Sequence, residues 1–328
     1  MTLAFDTVAA PSRGWLASRE HFGNRIDFFA PGLKRYETAE WKPKNGRAFL
    51  PVSVTGSACA LQCDHCSAKV LDGMISVSPD RDLFAIASDL KAKGTKGMLV
   101  SGGSQRSGGV PLLAQIDQIA RVKHELGMRV VCHVGYPDAE TAAALAAVGI
   151  DGAMIDVIGA DDTLRDVYHL DMTVADVERS IAHLADAGLR IIPHIVLGLH
   201  YGKFLGEQTA LEMLSRYPVW TLILVVLTPL VGTPMGHLPP PDTGEVIDFF
   251  HTARGRMDDT RVHLGCARPL GDIKVSLDRA AVDAGFNGIA YPADGTIAYA
   301  ESLGLEPRLF DGCCSMTWAD FAEDPDSL

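Results

Sequence analysis

Eight short apolar runs recur along the chain. They are AFLPVSVTG (48–56), GMLVSGG (97–103), RVVCHVG (129–135), GAMIDVIG (152–159), RIIPHIVLG (190–198), TLILVVLTPL (221–230), RVHLGC (261–266) and GIAYPA (288–293). Between them lie longer stretches such as DRDLFAIASDLKAKG, DAETAAALAAVG and TVADVERSIAHLADAG, whose apolar residues return every three or four positions, the period of a half-buried helix. Several of these stretches close on a glycine (Gly94, Gly149, Gly188, Gly285), where a left-handed C-cap stops a helix. Strands alternating with helices predict parallel β/α packing. An open doubly wound sheet fits this pattern too. The count of eight, and a first strand not followed by G-x-G-x-x-G, favour a closed (β/α)8 barrel of the TIM type.

The polar residues fall at the ends of these runs. Ser101, His133, Asp156, His194, Cys266 and the loop that begins at Cys59 all sit where strands finish, the face on which such barrels build active sites. Any one strand-end His or Asp is as readily a loop cap; six polar ends among eight runs make the argument. Residues 1–47 lie outside the repeat as an N-terminal extension. Its aromatic and basic segment FFAPGLKRYETAEWKPKN is expected to pack across the barrel, form a flap or meet a partner. The barrel is assigned to 48–305. Residues 306–328 form a C-terminal tail expected to fold over the barrel top, its acidic end DFAEDPDSL fraying.

Charge and composition narrow the function classes. A chain of 328 residues, 47% hydrophobic and 21% charged, needs no disulfides to support its core. The net charge of −12 argues against a general binder of nucleic acid or anionic membrane, because neutralising phosphates takes an excess of Lys and Arg. MTLAFDTVAAPSRGW lacks the charged and apolar regions of a signal peptide, so a cytoplasmic location is expected. The most apolar window, WTLILVVLTPLVG, is too short to span a bilayer and reads as a buried strand.

Seven cysteines supply the candidate chemistry. Three crowd one loop in TGSACALQCDHCSAK, spaced C-x3-C-x2-C as Cys59, Cys63 and Cys66. Cys313 and Cys314 are adjacent near the C-terminus, and Cys132 and Cys266 stand alone. In a reducing compartment, clustered thiols point to a metal or redox site rather than disulfides. A structural zinc site takes four protein ligands, usually as two separated pairs; no second C-x2-C is present, and His65, adjacent to Cys66, is awkward as a fourth ligand. A [4Fe–4S] cluster held by three cysteines leaves one iron open to a small molecule.

On these residues the chain resembles the radical S-adenosylmethionine (SAM) superfamily, whose motif is C-x3-C-x2-C on the loop after the first barrel strand. The resemblance implies a [4Fe–4S] cluster on Cys59, Cys63 and Cys66 that binds SAM through its open iron. It also implies reductive cleavage of SAM to a 5′-deoxyadenosyl radical that abstracts hydrogen from an unactivated C–H bond. It assigns SAM contacts to His65, to Ser101, Gly102, Gly103 and Ser104 in VSGGS, to His133, to Asp156 as a ribose ligand, and to His194 and Leu197 in HIVLGL. The acidic residue usual after the two glycines is replaced by Ser104.

Further segments resemble the biotin synthase-related branch, and most of all one subunit of the split, two-protein lipoyl synthase: FFAPGLKRYET, GADDTLRDVYHLD, PHIVLGLHYGK, TPLVGTPM, LGCARP and GCCS. That resemblance implies sulfur insertion into an octanoyl chain on a lysine of a lipoyl domain or carrier protein, a homologous radical SAM partner subunit, and an electron donor such as ferredoxin or flavodoxin. It implies a second, auxiliary [4Fe–4S] cluster that gives up sulfide, for which Cys266, Cys313 and Cys314 are the candidates, with Ser315, Arg268, a small molecule or another chain as the remaining ligand. Biotin synthase is a poorer match, since that family carries its sulfur on a [2Fe–2S] cluster with an arginine ligand and lacks a terminal Cys-Cys pair. The alternatives are a radical SAM reaction without sulfur insertion and a cluster-bearing scaffold. Cys132 is expected to be an inert core thiol.

Overall fold

The computed structural model describes residues 12–316, so the acidic end after Met316 and the first eleven residues lie outside the described chain. Eleven strands form one sheet: β1 (Arg25–Phe29), β2 (Phe49–Ser53), β3 (Ile75–Ser76), β4 (Gly97–Ser101), β5 (Arg129–His133), β6 (Gly152–Asp156), β7 (Ile191–Leu197), β8 (Thr221–Val226), β9 (Arg261–Leu264), β10 (Gly288–Ala290) and β11 (Glu306–Phe310). Their order is β11-β1-β10-β9-β8-β7-β6-β5-β4-β2-β3, with every pair parallel. All eight apolar runs are strands, arranged in sequence order, as a β/α winding requires.

The ring does not close as an eight-stranded barrel would. β10 pairs with β1 (Asp27↔Gly288, Phe29↔Ala290) instead of β2, and β11 adds outside β1 in the register Arg25↔Glu306 to Phe29↔Phe310. The N-terminal extension and the C-terminal tail each supply a strand that the eight apolar runs did not predict, before segment 30–48 crosses the sheet and the chain after β11 reaches the strand-end face. Between β11 and β2 the curled sheet is bridged by segment 30–48. The Gly32 N–H donates to Phe49 O at 3.0 Å, and the Asn45 N–H donates to the Asp311 carboxylate at 2.5 Å. A Cβ on Gly32 would stand 2.5 Å from Gly46 O, so only glycine fits this seam.

Helices α1 (Arg13–Phe22), α2 (Leu83–Ala92), α3 (Ile116–His124), α4 (Ala139–Val148), α5 (Asp161–Asp166) and α6 (Val174–Asp186) are followed by α7 (Glu207–Leu214), α8 (Thr243–Arg256), α9 (Asp272–Ala284) and α10 (Thr296–Ser302). Their ends follow local chemistry. Asp82 and Asp138 cap α2 and α4 by accepting from Ala85 and Thr141 N–H, and Thr173 with Asp176 forms a capping box on α6. The four glycines expected at helix ends all adopt left-handed φ. Strand alternation sends Val130, Ile155, Ile195 and Leu224, each no more than 1% exposed, outward against the helices. Each such burial contributes about 1.5–3 kcal/mol. The opposite alternation points Ser101, His133, Asp156 and His194 inward, consistent with the Asp156↔His194 pairing. No helix among the described residues is long and apolar enough to cross a membrane.

Candidate active site

The loop after β2 carries the first three thiols. It is pinned by Ala60 N–H to Ser104 O at 2.9 Å and by Ser67 N–H to Cys63 O at 2.8 Å. Gln62, Ser67 and Ala68 all sit at positive φ (50°, 44° and 60°), a strained run for residues with a Cβ. Cys63 and Cys66 are buried and Cys59 is half-buried. The ligating atoms of Cys63, His65 and Cys66 lie within 4.8 Å of one another, so the structure brings His65 to the thiols despite its awkward place in the sequence. The Cys63–Cys66 hydrogen bond holds the Cys66 thiol down, to about 4, with His65 helping against the cost of burial; the same bond, with burial, pushes Cys63 up.

Asp64, between these ligands, ties the loop to the barrel. Its carboxylate accepts from Tyr201 OH at 2.7 Å and pairs with His169 Nε2 at 2.9 Å. Its N–H donates to Val167 O at 2.9 Å and its carbonyl accepts from Met235 N–H at 3.2 Å. Three separate strand-end loops therefore fix one residue of the thiol loop. Nothing in the spacing of the sequence marks this role.

The Gly102–Gly103 pair serves the same loop. A Cβ on Gly103 would fall 2.0 Å from Ala58 O and 2.5 Å from Cys59 Cα, and the Gly103 N–H donates to Thr55 Oγ1 at 2.7 Å. Ser104 meets Cys59 through its carbonyl, 3.9 Å from the thiol.

Inside the strand ends, His133 Nε2 lies 3.4 Å from Asp156 Oδ1, and Tyr168 OH donates to Asp156 Oδ2 at 3.3 Å. The His133 and Asp156 side chains keep 26% and 28% of their surface open to the hollow of the barrel. Burial opposes both charges, yet the pairing outweighs it: His133 is raised and Asp156 is held below the usual carboxylate range. His194, its ring 6.0 Å from that of His133, is lowered to about 4 by burial and stays neutral. Ser101 donates to His133 O at 3.3 Å. Leu197 does not share this face: it is one position out of the inward register and 0% exposed, and Val196 is the residue that borders the hollow. Tyr136 escaped the sequence reading. Its hydroxyl is buried with no hydrogen-bond partner among the described residues, and it feels the Asp156 and Cys63 charges.

The second group of cysteines also converges. Cys266, after β9, and Cys313 and Cys314, after β11, come near one another, both of the other thiols acting on Cys314; among the described residues, three ligating atoms lie within 4.8 Å of one another only at Cys63, His65 and Cys66. Cys314 is pushed up by Cys266 and then by Cys313, while Cys313 is lowered to about 7, first by Cys314 and then by Ser315. Ser315 is 1% exposed and its hydroxyl has no oxygen or nitrogen partner. Arg268, the other candidate ligand, is committed elsewhere. It grips Asp278 at 2.6 and 3.0 Å and donates to Gly265 O and Tyr291 O. Cys132 is fully buried on the helix side of β5, away from both groups, and burial raises its pKa. The donor sets suit iron–sulfur groups: both are rich in thiols, with Cys63, Cys66, Cys313 and Cys314 buried and Cys59 and Cys266 half-buried, and Tyr136 and Ser315 each carry a buried hydroxyl without a partner among the described residues.

Comparison with known proteins agrees with this geometry. The model of the Radical SAM superfamily matches residues 53–215, from the end of β2 through α7. A biotin synthase of Synechococcus sp. (strain JA-3-3Ab) is 27% identical over 273 residues, 78% of this chain and 86% of that protein. Biotin synthase 2 of Polaromonas sp. (strain JS666 / ATCC BAA-500) is 24% identical over 245 residues, 73% of this chain and 70% of that protein. Among solved structures, methylornithine synthase superposes with a TM-score of 0.61 over 94% of this chain and 89% of that one, at 13% identity. The [FeFe]-hydrogenase maturase HydG superposes with a TM-score of 0.63 over 96% and 70%, at 15% identity. At such identities the structures establish the fold alone. The three thiols on the loop after β2 thus lie inside a segment that matches the Radical SAM superfamily model, in a chain that is similar over most of its length to two biotin synthases.

Proposed function

We propose that this protein is a sulfur-inserting radical SAM enzyme acting on an octanoyl-lysine chain of a carrier protein, as one subunit of a two-protein lipoyl synthase. The observation that supports this reading is the nearness of Cys266, after β9, to Cys313 and Cys314, after β11, where His263 holds Cys314 O at 2.8 Å, a second group of thiols that hydrogen abstraction alone has no use for. Cys59, Cys63 and Cys66 would hold the cluster that binds SAM, and Cys266, Cys313 and Cys314, with the Ser315 hydroxyl as the fitting fourth donor, would hold the auxiliary one. When loaded, these groups supply a 5′-deoxyadenosyl radical for hydrogen abstraction and sulfide for the new C–S bond.

The chain's own residues do the positioning. Asp64 and its partners Tyr201 and His169 lock the ligand loop. Asp156, charged and oriented by His133 and Tyr168, offers an acceptor for a ribose diol. Neutral His194 and the Val196 and Val225 side chains keep the hollow apolar on its other flank, which suits an alkyl chain held away from water. A cytoplasmic setting keeps both thiol groups reduced.

A biotin synthase-like reaction is the second reading, favoured by the two curated relatives. Against it, the strand-end arginine Arg268 is tied up by Asp278. The test is anaerobic reconstitution of wild type, Cys59/Cys63/Cys66→Ala and Cys266/Cys313/Cys314→Ala. Iron and acid-labile sulfide are measured, followed by incubation with reductant, SAM and an octanoyl-lysine peptide, with and without the homologous partner. Iron retained in each triple variant and thiolated peptide from wild type alone support the proposal. Iron absent from the first variant, or 5′-deoxyadenosine formed without thiolation under every condition, refutes it. Turnover of dethiobiotin would favour the second reading.

A further inference from the structure

A groove of about 1050 Å3 lies between the segment that follows β1 and the β2–β3 edge, walled by residues 30–37 and 42–47, by Leu50 of β2, by Ile75 of β3, by Arg81 and by the end of α2. In a chain of net charge −12 its lining is strongly basic. Lys34, Arg35, Lys44, Arg47 and Lys93 are all exposed, and no ion pair is formed by any of them among the described residues. Two further cations of the lining, Lys42 and Arg81, are paired with Glu37 and Asp89. Glu37 is the one carboxylate in the wall. The Lys34 ammonium lies 4.3 Å from the centre of the ring of Tyr291, a residue just after β10.

We infer that this groove docks an acidic segment of the carrier protein that presents the acyl chain; the identity of that partner rests on the function proposed above. The chemistry favours a peptide over other anions. The cations are spread along separate stretches instead of converging on one buried point, as a single phosphate or carboxylate would require. They are interleaved with apolar surface from Leu33, Pro43 and Leu50, which matches side chains between acidic residues. Bases of a single-stranded nucleic acid would want free aromatic faces. Tyr36, the aromatic residue of the lining, has its ring against Trp41 and Tyr291 and its hydroxyl bonded to Pro292 O.

The test reads binding without catalysis. Fluorescence anisotropy of a labelled dodecapeptide rich in Asp and Glu around an octanoyl-lysine is compared with its Asn/Gln counterpart. The proteins are the reconstituted wild type, Lys44→Glu/Arg47→Glu/Lys93→Glu, and the control Arg121→Glu on α3. The expected result is salt-sensitive binding of the acidic peptide only, weakened at least tenfold by the triple reversal and unchanged by the control, on the scale of about 0.5 kcal/mol or more per exposed ion pair. Circular dichroism and iron content confirm that the reversal variant is folded. Binding indifferent to the reversals, tighter binding of single-stranded DNA of equal charge, or binding that emerges only after deletion of residues 317–328 would each overturn the inference. Salt-sensitive binding alongside failed thiolation of every octanoyl peptide would remove the proposed reaction and leave the docking site standing.

Discussion

Asp278 is the most informative residue to perturb, because it anchors the segment that carries Cys266. Its side chain is 0% exposed and that of Arg268 is 1% exposed. Its oxygens accept from Arg268 Nε at 2.6 Å, Arg268 Nη2 at 3.0 Å, Lys274 Nζ at 3.0 Å and the Ala293 N–H at 2.7 Å. Asp278→Asn keeps the volume but turns one acceptor into a donor and strands a buried guanidinium. Lys274, already lowered to about 8 by burial and then by Arg268, loses its counter-charge and sheds its proton, so the penalty settles on Arg268. Breaking a buried pair from one side costs about 3–5 kcal/mol. For 328 residues, an unfolding entropy of about 2 cal/mol/K per residue turns that into a Tm lower by roughly 4–7 °C. Scanning calorimetry measures it. Arg268→Met/Asp278→Leu, which removes both charges, should recover much of the loss. On the function proposed above, the single variant should also hold less iron in total, with the iron of the Cys59 loop retained. A Tm change below about 1 °C, or a double variant worse than the single, would refute the reasoning.

Three further outcomes follow from the first site. Asp64→Asn should leave the fold intact, cost about 1–2 kcal/mol through its weakened hydrogen bonds with Tyr201 and His169, and lower iron retention by the Cys59 loop in gel-filtered protein. Gly103→Ala drives a methyl to 2.0 Å from Ala58 O, so the reconstituted variant should lose the loop's iron and all 5′-deoxyadenosine formation, read by chromatography; wild-type levels would show that the loop yields freely. The third concerns pH. Burial lowers His194 to about 4 against roughly 6.5 in the unfolded chain, so the unfolded state binds the proton first as pH falls. His194 therefore costs no stability above about pH 6.5 and withdraws up to about 3 kcal/mol as pH drops toward 4. His133, raised by Asp156, acts in the opposite sense, and Asp156 itself weakens the fold only at lower pH. The difference between wild type and His194→Gln in urea titrations at pH 7.5 and 5 isolates the effect, and equal differences at both would contradict it.

The strands that wind the sheet were legible because each is an apolar run bounded by turn residues and long enough to show a period. β1 and β11 were not. RIDFF and EPRLF are five residues each, they flank stretches unlike the repeat, and one contains a proline. Their strand character comes from docking on β10, a tertiary effect that no local pattern carries. The thiols were legible as a motif, since three cysteines on one loop have few bland explanations. Tyr136 and Asp64 were not, because a buried hydroxyl and a loop carboxylate gain meaning only from what other segments bring within reach. Leu197 shows the limit of a strand-end argument: shifting one residue along a strand turns the side chain to the other face.

Those two unpredicted strands account for the features that set this barrel apart. With eight strands alone, β10 would close on β2, and the chain after residue 305 would have no fixed place. Inserting β1 beside β10 creates an edge onto which β11 adds in parallel, its last residue level with Phe29. The register puts Cys313 and Cys314 three and four residues beyond that strand, at the height where β9 delivers Cys266, and His263 of β9 fixes them by its hydrogen bond to Cys314 O at 2.8 Å. The same insertion widens the ring, so β11 and β2 never pair and segment 30–48 must cross between them. That crossing brings Lys34, Lys44 and Arg47 to the rim of the gap. The placing of Cys313 and Cys314 after β11 and the basic groove along segment 30–47 are therefore two results of one topological change.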